Sequence, residues 1–147
     1  MRAYADTGFL CSLYAPDAHT EPAVKRMKRQ ALPLPVIWLH QLEFRNAMRL
    51  RVFRKEITAA QRDASLNAML SDLASGVLVH ATPPLAALTI EAERLSVLFS
   101  ETLGVRTLDI LHVAAALVLG VPDVLTFDHR QQALAKGAGL RVPRLVS

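Results

Sequence analysis

The segment from Thr107 to Leu119 is almost entirely apolar, yet it carries a carboxylate at Asp109. A helix that is hydrophobic on every side is typical of a protein interior. Burying an unpaired charge costs far more free energy than one apolar contact returns, so Asp109 needs a cation, a metal ion or the mouth of a cleft. The segment therefore predicts a buried helix beside a charged site, and Arg106 is one candidate partner for the carboxylate.

The composition limits the class of protein. A chain of 147 residues that is 52% hydrophobic predicts a single domain spanning residues 1–147. Its longest uncharged apolar run, about twelve residues from 110 to 121, is shorter than the ~20 residues that a membrane span requires. No apolar signal region follows Met1, and Cys11 is the only cysteine, which excludes an intrachain disulfide and a thiolate zinc site. We expect a cytoplasmic protein with no membrane segment.

Short apolar strands alternate with helical segments along the chain, which predicts an α/β fold. The expected architecture is a parallel central sheet of about five strands, flanked by helices on both faces. Strands are predicted at 2–5, 36–37, 77–79, 124–126 and 140–142, and helices at 9–14, 20–30, 38–55, 58–74, 85–103, 107–119 and 129–136. Pro33-Leu34-Pro35 predicts a turn.

The helix predicted from Trp38 carries apolar residues at helical spacing. The predicted buried stripe consists of Leu39, Leu42, Ala47, Leu50 and Phe53. Glu43 lies on the same face of the helix as this stripe.

Four carboxylates fall at element ends or on a predicted buried face. Asp6 follows the first strand, Asp128 follows the strand at 124–126, Asp109 lies near a helix start, and Glu43 lies on the stripe. Ligands of parallel α/β sheets bind at the carboxyl ends of the strands. Singly, each acid has another explanation: Asp6 and Asp128 as helix caps, Asp109 and Glu43 as partners of arginines. Together they would repel, so they require retained protons or a divalent cation, and carboxylate oxygens suit Mg²⁺ or Mn²⁺.

The charge of the chain is positive outside this set. The net charge is +4, and between residues 25 and 62 ten Lys or Arg accompany only Glu43 and Glu56. The basic region is explained either by solvated helix faces or by a surface for phosphate-bearing polymers. A carboxylate–metal site in a basic protein indicates phosphodiester chemistry. Arg45 and Arg49 are then candidate contacts for the phosphates of such a polymer.

Four segments in this order resemble the PIN domain, and more narrowly the VapC-type toxins of bacterial toxin–antitoxin pairs. They are Ala5-Asp6-Thr7-Gly8-Phe9-Leu10, Leu42-Glu43-Phe44-Arg45-Asn46-Ala47, Thr107 to Ala114, and Leu125-Thr126-Phe127-Asp128 with Gly139 to Val142. The resemblance runs the whole chain. Gly8 departs from the pattern, because many relatives carry Ser or another small polar residue there.

The resemblance implies a metal-dependent endoribonuclease that hydrolyses RNA with an activated water. It implies that Asp6, Glu43, Asp109 and Asp128 surround one or two Mg²⁺ or Mn²⁺ ions. It also implies a homodimer that is held in check by a small cognate antitoxin.

Further residues would support this site. Thr7 and Thr126 could donate hydrogen bonds to the carboxylates or serve as caps. His112 is expected to be a core or cleft-edge histidine. Arg106 is expected to pair either with Asp109 or with a substrate phosphate. The main alternative is a non-catalytic basic module that binds nucleic acid or a partner. A phosphoaspartate receiver-like domain is disfavoured because only Lys136, inside the last helix, could supply the lysine that such a domain needs.

Overall fold

The computed structural model describes residues 1–31 and 33–146. In this part of the chain it contains four short strands and seven helices. The strands are β1 (Ala3–Ala5), β2 (Leu34–Val36), β3 (Leu78–His80) and β4 (Asp123–Leu125). The helices are α1 (Thr7–Tyr14), α2 (Thr20–Met27), α3 (Trp38–Phe53), α4 (Ala59–Ser75), α5 (Leu85–Leu103), α6 (Thr107–Val118) and α7 (His129–Gly137).

The strands form two parallel pairs rather than one continuous sheet. β1 pairs with β4, with Tyr4 opposite Val124, and β2 pairs with β3, with Pro35 opposite Val79. The prediction of about five strands in one sheet is therefore wrong for the described residues. The strand expected at 140–142 is reduced to one bridge, between Asp123 and Arg141.

Pro35 accounts for the break between the two pairs. The backbone of Leu34 bonds to Val77 and that of Val36 to Ala81, so these residues face β3. The backbone N–H and C=O groups of successive residues in a strand point to opposite edges of that strand. The backbone of Pro35 therefore faces β1, and proline has no N–H with which to bond to it. The turn predicted at residues 33–35 is wrong for 34 and 35, which lie in β2. Proline is tolerated in a strand when the edge that lacks its N–H forms no backbone hydrogen bonds with a neighbouring strand.

Helices cover both faces of the paired strands, as predicted. One hydrophobic cluster joins the strands to α5, α6 and α7 through Leu88, Val113 and Leu134. The other joins them to α1, α3 and α4 and includes Phe9, Phe44 and Met69. Tyr4 belongs to the first cluster and its neighbours Ala3 and Ala5 to the second, which is the alternation expected of a strand buried on both faces.

The buried face of α3 differs from the predicted stripe. Its buried residues are Leu39, His40, Phe44 and Met48. Leu42 and Phe53 are instead 61% and 82% exposed, and Leu50 is also exposed. Apolar residues occur on several sides of this helix, so periodicity alone selected the wrong row. Glu43 is half-buried beside the true buried row, at the edge of the helix face.

Several helix boundaries match the sequence expectation. The Thr58 hydroxyl caps α4 by accepting from the Gln61 N–H, and Gly76 ends the helix in the left-handed conformation at φ 86°. Gly104 ends α5 in the same way at φ 64°. In the described ranges, no helix combines the length and apolarity needed to cross a membrane.

Candidate active site

Asp6 joins the end of β1 to the start of α1. Its Oδ1 accepts the Phe9 N–H at 2.9 Å, and its Oδ2 accepts the hydroxyl of Thr126. The side chain is only 8% exposed. Burial raises the pKa of Asp6 above its usual value, and the charge of Asp128 adds to the rise, while the hydrogen bonds and His112 act in the opposite direction. Asp6 is therefore both a helix cap and a buried acid close to a second acid.

Asp128 occupies the equivalent position between β4 and α7. Its Oδ1 caps α7 by accepting the Gln131 N–H at 2.9 Å, and its own N–H donates to the Thr126 hydroxyl at 3.0 Å. Thr126 thus bonds to Asp6 with its hydroxyl hydrogen and to Asp128 with its oxygen. The two strand-end acids are held in a fixed relation through this one side chain.

Glu43 accepts hydrogen bonds from more side chains than Asp6, Asp109 or Asp128 does. Its Oε1 accepts the Thr7 hydroxyl at 2.8 Å and Nε2 of His112 at 2.6 Å. Partial burial raises the pKa of Glu43, but the bonds from His112 and Thr7 outweigh it and leave the pKa below its usual value. Both of these bonds fall on Oε1, so Oε2 is the atom that Glu43 offers to the cleft.

His112 links this acid to the core. An ionised carboxylate can only accept, so Nε2 of His112 carries the proton, and the Tyr4 hydroxyl donates to Nδ1 at 2.6 Å. Burial and the charges of Asp6 and Glu43 raise the pKa of Tyr4, which keeps its hydroxyl protonated. A buried chain of donors therefore runs from β1 through α6 to Glu43.

His40 is a buried polar residue that the sequence analysis did not single out. Its Nδ1 accepts the Ile37 N–H at 3.0 Å, and its Nε2 donates to the Ala5 carbonyl at 2.7 Å. The side chain thereby bridges β1 and the end of β2, where Pro35 offers no donor. Burial, with the neighbouring His112 acting in the same direction, lowers the pKa of His40 to about 3, so the ring is neutral near pH 7. A single buried histidine gives no sequence signal for such a bridge.

Asp109 lies in the first turn of α6 and is partly exposed. Burial raises its pKa, as do the charges of Asp128 and Glu43, while the Arg106 backbone N–H and His112 lower it. Among the described residues, no ion pair joins Asp109 to the Arg106 side chain. Asp109 therefore lacks the side-chain cation that Arg106 could have supplied, and it experiences two neighbouring negative charges.

Glu43, Asp109 and Asp128 meet in one open cleft of about 800 Å³. Its charged and titratable lining residues are Glu43, Arg106, Asp109, Asp128, His129 and Arg130. Asp6 opens into a smaller adjoining pocket that it shares with Asp128. Arg130 was missed in the sequence, although its place two residues after Asp128 could have indicated it.

The two arginines considered as RNA contacts lie elsewhere on α3. Arg45 bonds to the Gln41 carbonyl and side chain and lines a separate groove between α3 and α4. Arg49 is exposed, and neither arginine lines the acidic cleft.

The donor set of the cleft suits a hard divalent cation in chemical type. Its acids are carboxylates, and the two with raised pKa values are destabilised by burial and by other acids, which a cation would relieve. Within residues 1–31 and 33–146, however, no three His, Cys, Asp or Glu side chains are close enough together to form a ready-made metal site. A metal would therefore have to draw these carboxylates together.

Solved structures with the same architecture come from several organisms. The chain is similar to VapC20 of Mycobacterium tuberculosis, described as a sarcin–ricin loop cleaving toxin, with a TM-score of 0.67, 18% identity and coverage of 89% of this chain and 93% of that one. It is similar to PAE2754 of Pyrobaculum aerophilum at TM-score 0.64, 20% identity and coverage of 97% and 90%. VapBC-1 of nontypeable Haemophilus influenzae matches at TM-score 0.63, 10% identity and coverage of 97% of both chains.

These similarities show the fold and confirm the PIN-like architecture expected from the sequence. No protein-family model matches the chain, and no curated protein matches it in sequence.

Proposed function

We propose that the protein is a metal-dependent endoribonuclease that acts as the toxin of a toxin–antitoxin pair. The observation that carries the proposal is the grouping of Glu43, Asp109 and Asp128 in one cleft with Arg106 and Arg130. Carboxylates beside guanidinium groups suit a phosphodiester that reacts with metal assistance. The fold shared with VapC20, a toxin described as cleaving the sarcin–ricin loop, supports RNA as the substrate.

The metal would be Mg²⁺ or Mn²⁺, held by Asp6, Glu43, Asp109 and Asp128. When bound, the ion would polarise a phosphoryl oxygen and activate a water for hydrolysis. Asp128 is exposed and Asp109 is partly exposed, whereas Asp6 is buried and tied to Thr126 and to the start of α1. Glu43 is also partly exposed, but Thr7 and His112 hold its Oε1. We infer that Asp109 and Asp128 move toward the ion more readily than Asp6 does.

The other residues of the cleft position the acids and the substrate. Thr7 and His112 fix Oε1 of Glu43, so its free oxygen keeps one orientation toward the cleft. Arg106 and Arg130 are exposed in the cleft, and their planar guanidinium groups can bind the phosphate oxygens of RNA in pairs. Arg106 thus serves the substrate rather than Asp109.

A homodimer and a small antitoxin complete the proposal. α5 exposes Leu85, Ile90 and Val97, each more than two-thirds accessible, which supports an apolar contact between two copies. VapBC-1 is a toxin–antitoxin complex with the same fold, which supports a cognate antitoxin for this chain. A monomer by light scattering would contradict the homodimer, and the lack of a small reading frame beside the gene would favour a stand-alone ribonuclease.

The direct test is cleavage of RNA by the purified protein with Mn²⁺, with Mg²⁺ and with EDTA. The informative variants are Asp6→Asn and Asp128→Asn, because asparagine caps a helix about as well as aspartate while removing the charge. We expect cleavage to require the metal and to be lost in both variants. Cleavage that persists in EDTA or in both variants would contradict the proposal.

One observation favours a second candidate, a basic module that binds RNA without cutting it. The described residues contain no preassembled group of three metal-binding side chains. Such a module would bind RNA in a salt-dependent way, and a variant with all four acids changed to amides would bind as well as wild type. The ribonuclease proposal instead predicts turnover that this variant lacks.

A further inference from the structure

Three cavities meet at the turn from Phe127 to His129, between β4 and α7. The acidic cleft includes Asp128 and His129, and the small pocket beside it includes Asp6, Asp128 and Phe127. A third cavity of about 780 Å³ shares Phe127 and His129 with these two. We name it the C-terminal groove; its polar and aromatic lining residues are His19, Phe127, His129, Gln132, Lys136 and Arg144. A bound chain could therefore pass from the cleft into the groove without leaving the surface.

The charge of the C-terminal groove is opposite to that of the cleft. Lys136 and Arg144 are exposed along it, and no Asp or Glu is among its described lining residues. Val142 and Leu145 contribute an apolar part of the wall. A surface that combines cations with apolar area suits a single strand, which presents phosphates and the flat faces of unpaired bases.

His19 forms the exposed end of a stack of three rings. Its imidazole lies 4.3 Å from the Phe127 ring at an interplanar angle of 7°, and Phe127 lies 5.7 Å from Phe9 at 13°. Phe9 is fully buried, whereas His19 is exposed on the groove. The stack thus starts in the core and ends with a flat ring at the surface, beside the pocket that contains Asp6 and Asp128.

The loop that carries His19 is fixed by hydrogen bonds. The His19 N–H donates to Oδ1 of Asp17 at 2.8 Å, and Oδ2 of Asp17 accepts from Ser12 at 2.9 Å and from Arg51 at 3.1 Å. The nearby acid is therefore occupied in holding the loop and pairing with Arg51. A ring held in place before binding loses little conformational entropy when a ligand stacks on it.

We propose that the C-terminal groove binds the single-stranded RNA segment flanking the cleavage position, with an unpaired base stacked on His19 and backbone phosphates bound by Lys136 and Arg144. The proposal rests on the proposed function for its substrate class and adds the path of the strand. It assigns the groove to unpaired rather than duplex RNA, because a base within a duplex has no free face for His19.

The first experiment measures binding rather than cleavage. The probe is a fluorescein-labelled RNA of randomised sequence, about twelve nucleotides long and 2′-O-methylated so that it is not hydrolysed. His19→Ala is expected to weaken binding roughly tenfold, and His19→Phe to restore most of it, because stacking requires an aromatic ring. A duplex of the same length should show no difference between the two variants.

The second experiment separates phosphate contacts in the groove from the general charge of the protein. The double variant Lys136→Ala/Arg144→Ala is expected to reduce the slope of log affinity against log salt by about 1.4, the value for two phosphates of a single strand. The matched control is Arg62→Ala/Arg94→Ala, which removes the same charge from positions outside the groove, where these arginines pair with Asp63 and Glu91. An equal change in both double variants would overturn the assignment of phosphates to the groove.

A third measurement detects the stacked base directly. His19→Trp in a Trp38→Phe background places the only tryptophan of the chain at the end of the ring stack. We expect RNA to quench its fluorescence; absence of quenching, or wild-type binding by His19→Ala, would overturn the proposal. Because these readouts need no turnover, a protein that binds RNA through the groove but never cleaves it would refute the ribonuclease and leave the groove assignment standing.

Discussion

Glu43 and Asp109 line the same cleft and are both partly exposed, but their pKa values shift in opposite directions. Burial raises the pKa of each. At Glu43, the His112 and Thr7 donors outweigh burial, whereas at Asp109 the charges of Asp128 and Glu43 add to it. The donors and charges around a carboxylate, rather than its burial, therefore decide whether the protein stabilises its charge. The protein's own donors stabilise the charge of Glu43, whereas the donors near Asp109 do not offset burial and the neighbouring acids.

The largest expected effect comes from Asp109→Asn. If Asp109 serves the metal, RNA cleavage with Mn²⁺ should fall by a factor on the order of a hundred or more, since ~3 kcal/mol of electrostatic stabilisation is lost. The melting temperature of the metal-free protein should stay unchanged or rise, because a repelled charge is removed. Gel-based cleavage and thermal unfolding measure both.

Asp63→Asn is the matched control, because Asp63 is an exposed acid on α4 paired with Arg62. It should leave cleavage unchanged. Normal cleavage by Asp109→Asn, or a clear drop in its metal-free melting temperature, would show that Asp109 is a structural partner and not a metal-dependent site residue.

Removing the donor to Glu43 should have the next largest effect. His112→Ala removes the acceptor of the Tyr4 hydroxyl, leaves Thr7 as the remaining side-chain donor to Glu43 and opens a cavity at a buried position. We therefore expect a loss of about 2–3 kcal/mol in the free energy of unfolding. Tyr4→Phe removes only one hydrogen bond and should cost about 1 kcal/mol. Urea titrations compare the two, and equal losses would contradict the role of His112 as the central link.

Metal addition should stabilise the protein through Asp109, whose charge the neighbouring acids make unfavourable. A free Mg²⁺ concentration ten times its Kd should raise the free energy of unfolding by about 1.4 kcal/mol, because the ion binds only the folded protein. The shift should disappear in Asp109→Asn and be measurable by thermal unfolding with and without Mg²⁺. An identical shift in wild type and in this variant would place the ion elsewhere.

The smallest effect is on the pH dependence of the metal-free protein, and its sign differs between the two acids. The raised pKa of Asp109 makes its charge unfavourable in the folded state, so the stability gained by Asp109→Asn should appear as pH rises above about 4. The lowered pKa of Glu43 makes its charge favourable, so the stability lost in Glu43→Gln should be full at neutral pH and vanish as pH falls below about 4.5. Each effect should be below about 1 kcal/mol because both groups are partly solvated.

Urea titrations of both variants across acidic pH measure these differences. If both variants changed the free energy of unfolding with the same sign, Glu43 and Asp109 would experience the same kind of electrostatic environment. That result would contradict the difference between the two acids.

The sequence predicted local features better than pairing between distant segments. The cap at Thr58, the helix ends at Gly76 and Gly104, and the position of Asp6 and Asp128 after strands all depend on a few neighbouring residues. The strand at 34–36 was misplaced because proline usually interrupts a strand. Whether the missing N–H of Pro35 breaks the pairing depends on which strand lies along that edge, and the local sequence does not show this.

The buried face of α3 was not predictable for a related reason. Leu42, Leu50 and Phe53 are apolar and exposed, so hydrophobicity did not identify the side of the helix that packs. Buried polar residues carry even less signal. His40 and Tyr4 acquire their roles only from contacts made across the fold, with the Ala5 carbonyl and with His112.

The bridge formed by His40 has a consequence for how two of the acids are held relative to each other. Asp6 follows β1 directly, while Glu43 lies on the helix that follows β2, and between these strands Pro35 prevents a complete backbone ladder. The imidazole of His40 therefore connects the strand that leads into Asp6 with the helix that carries Glu43. A side chain at position 40 that cannot reach the Ala5 carbonyl would remove this connection between the two elements without touching any residue that lines the cleft.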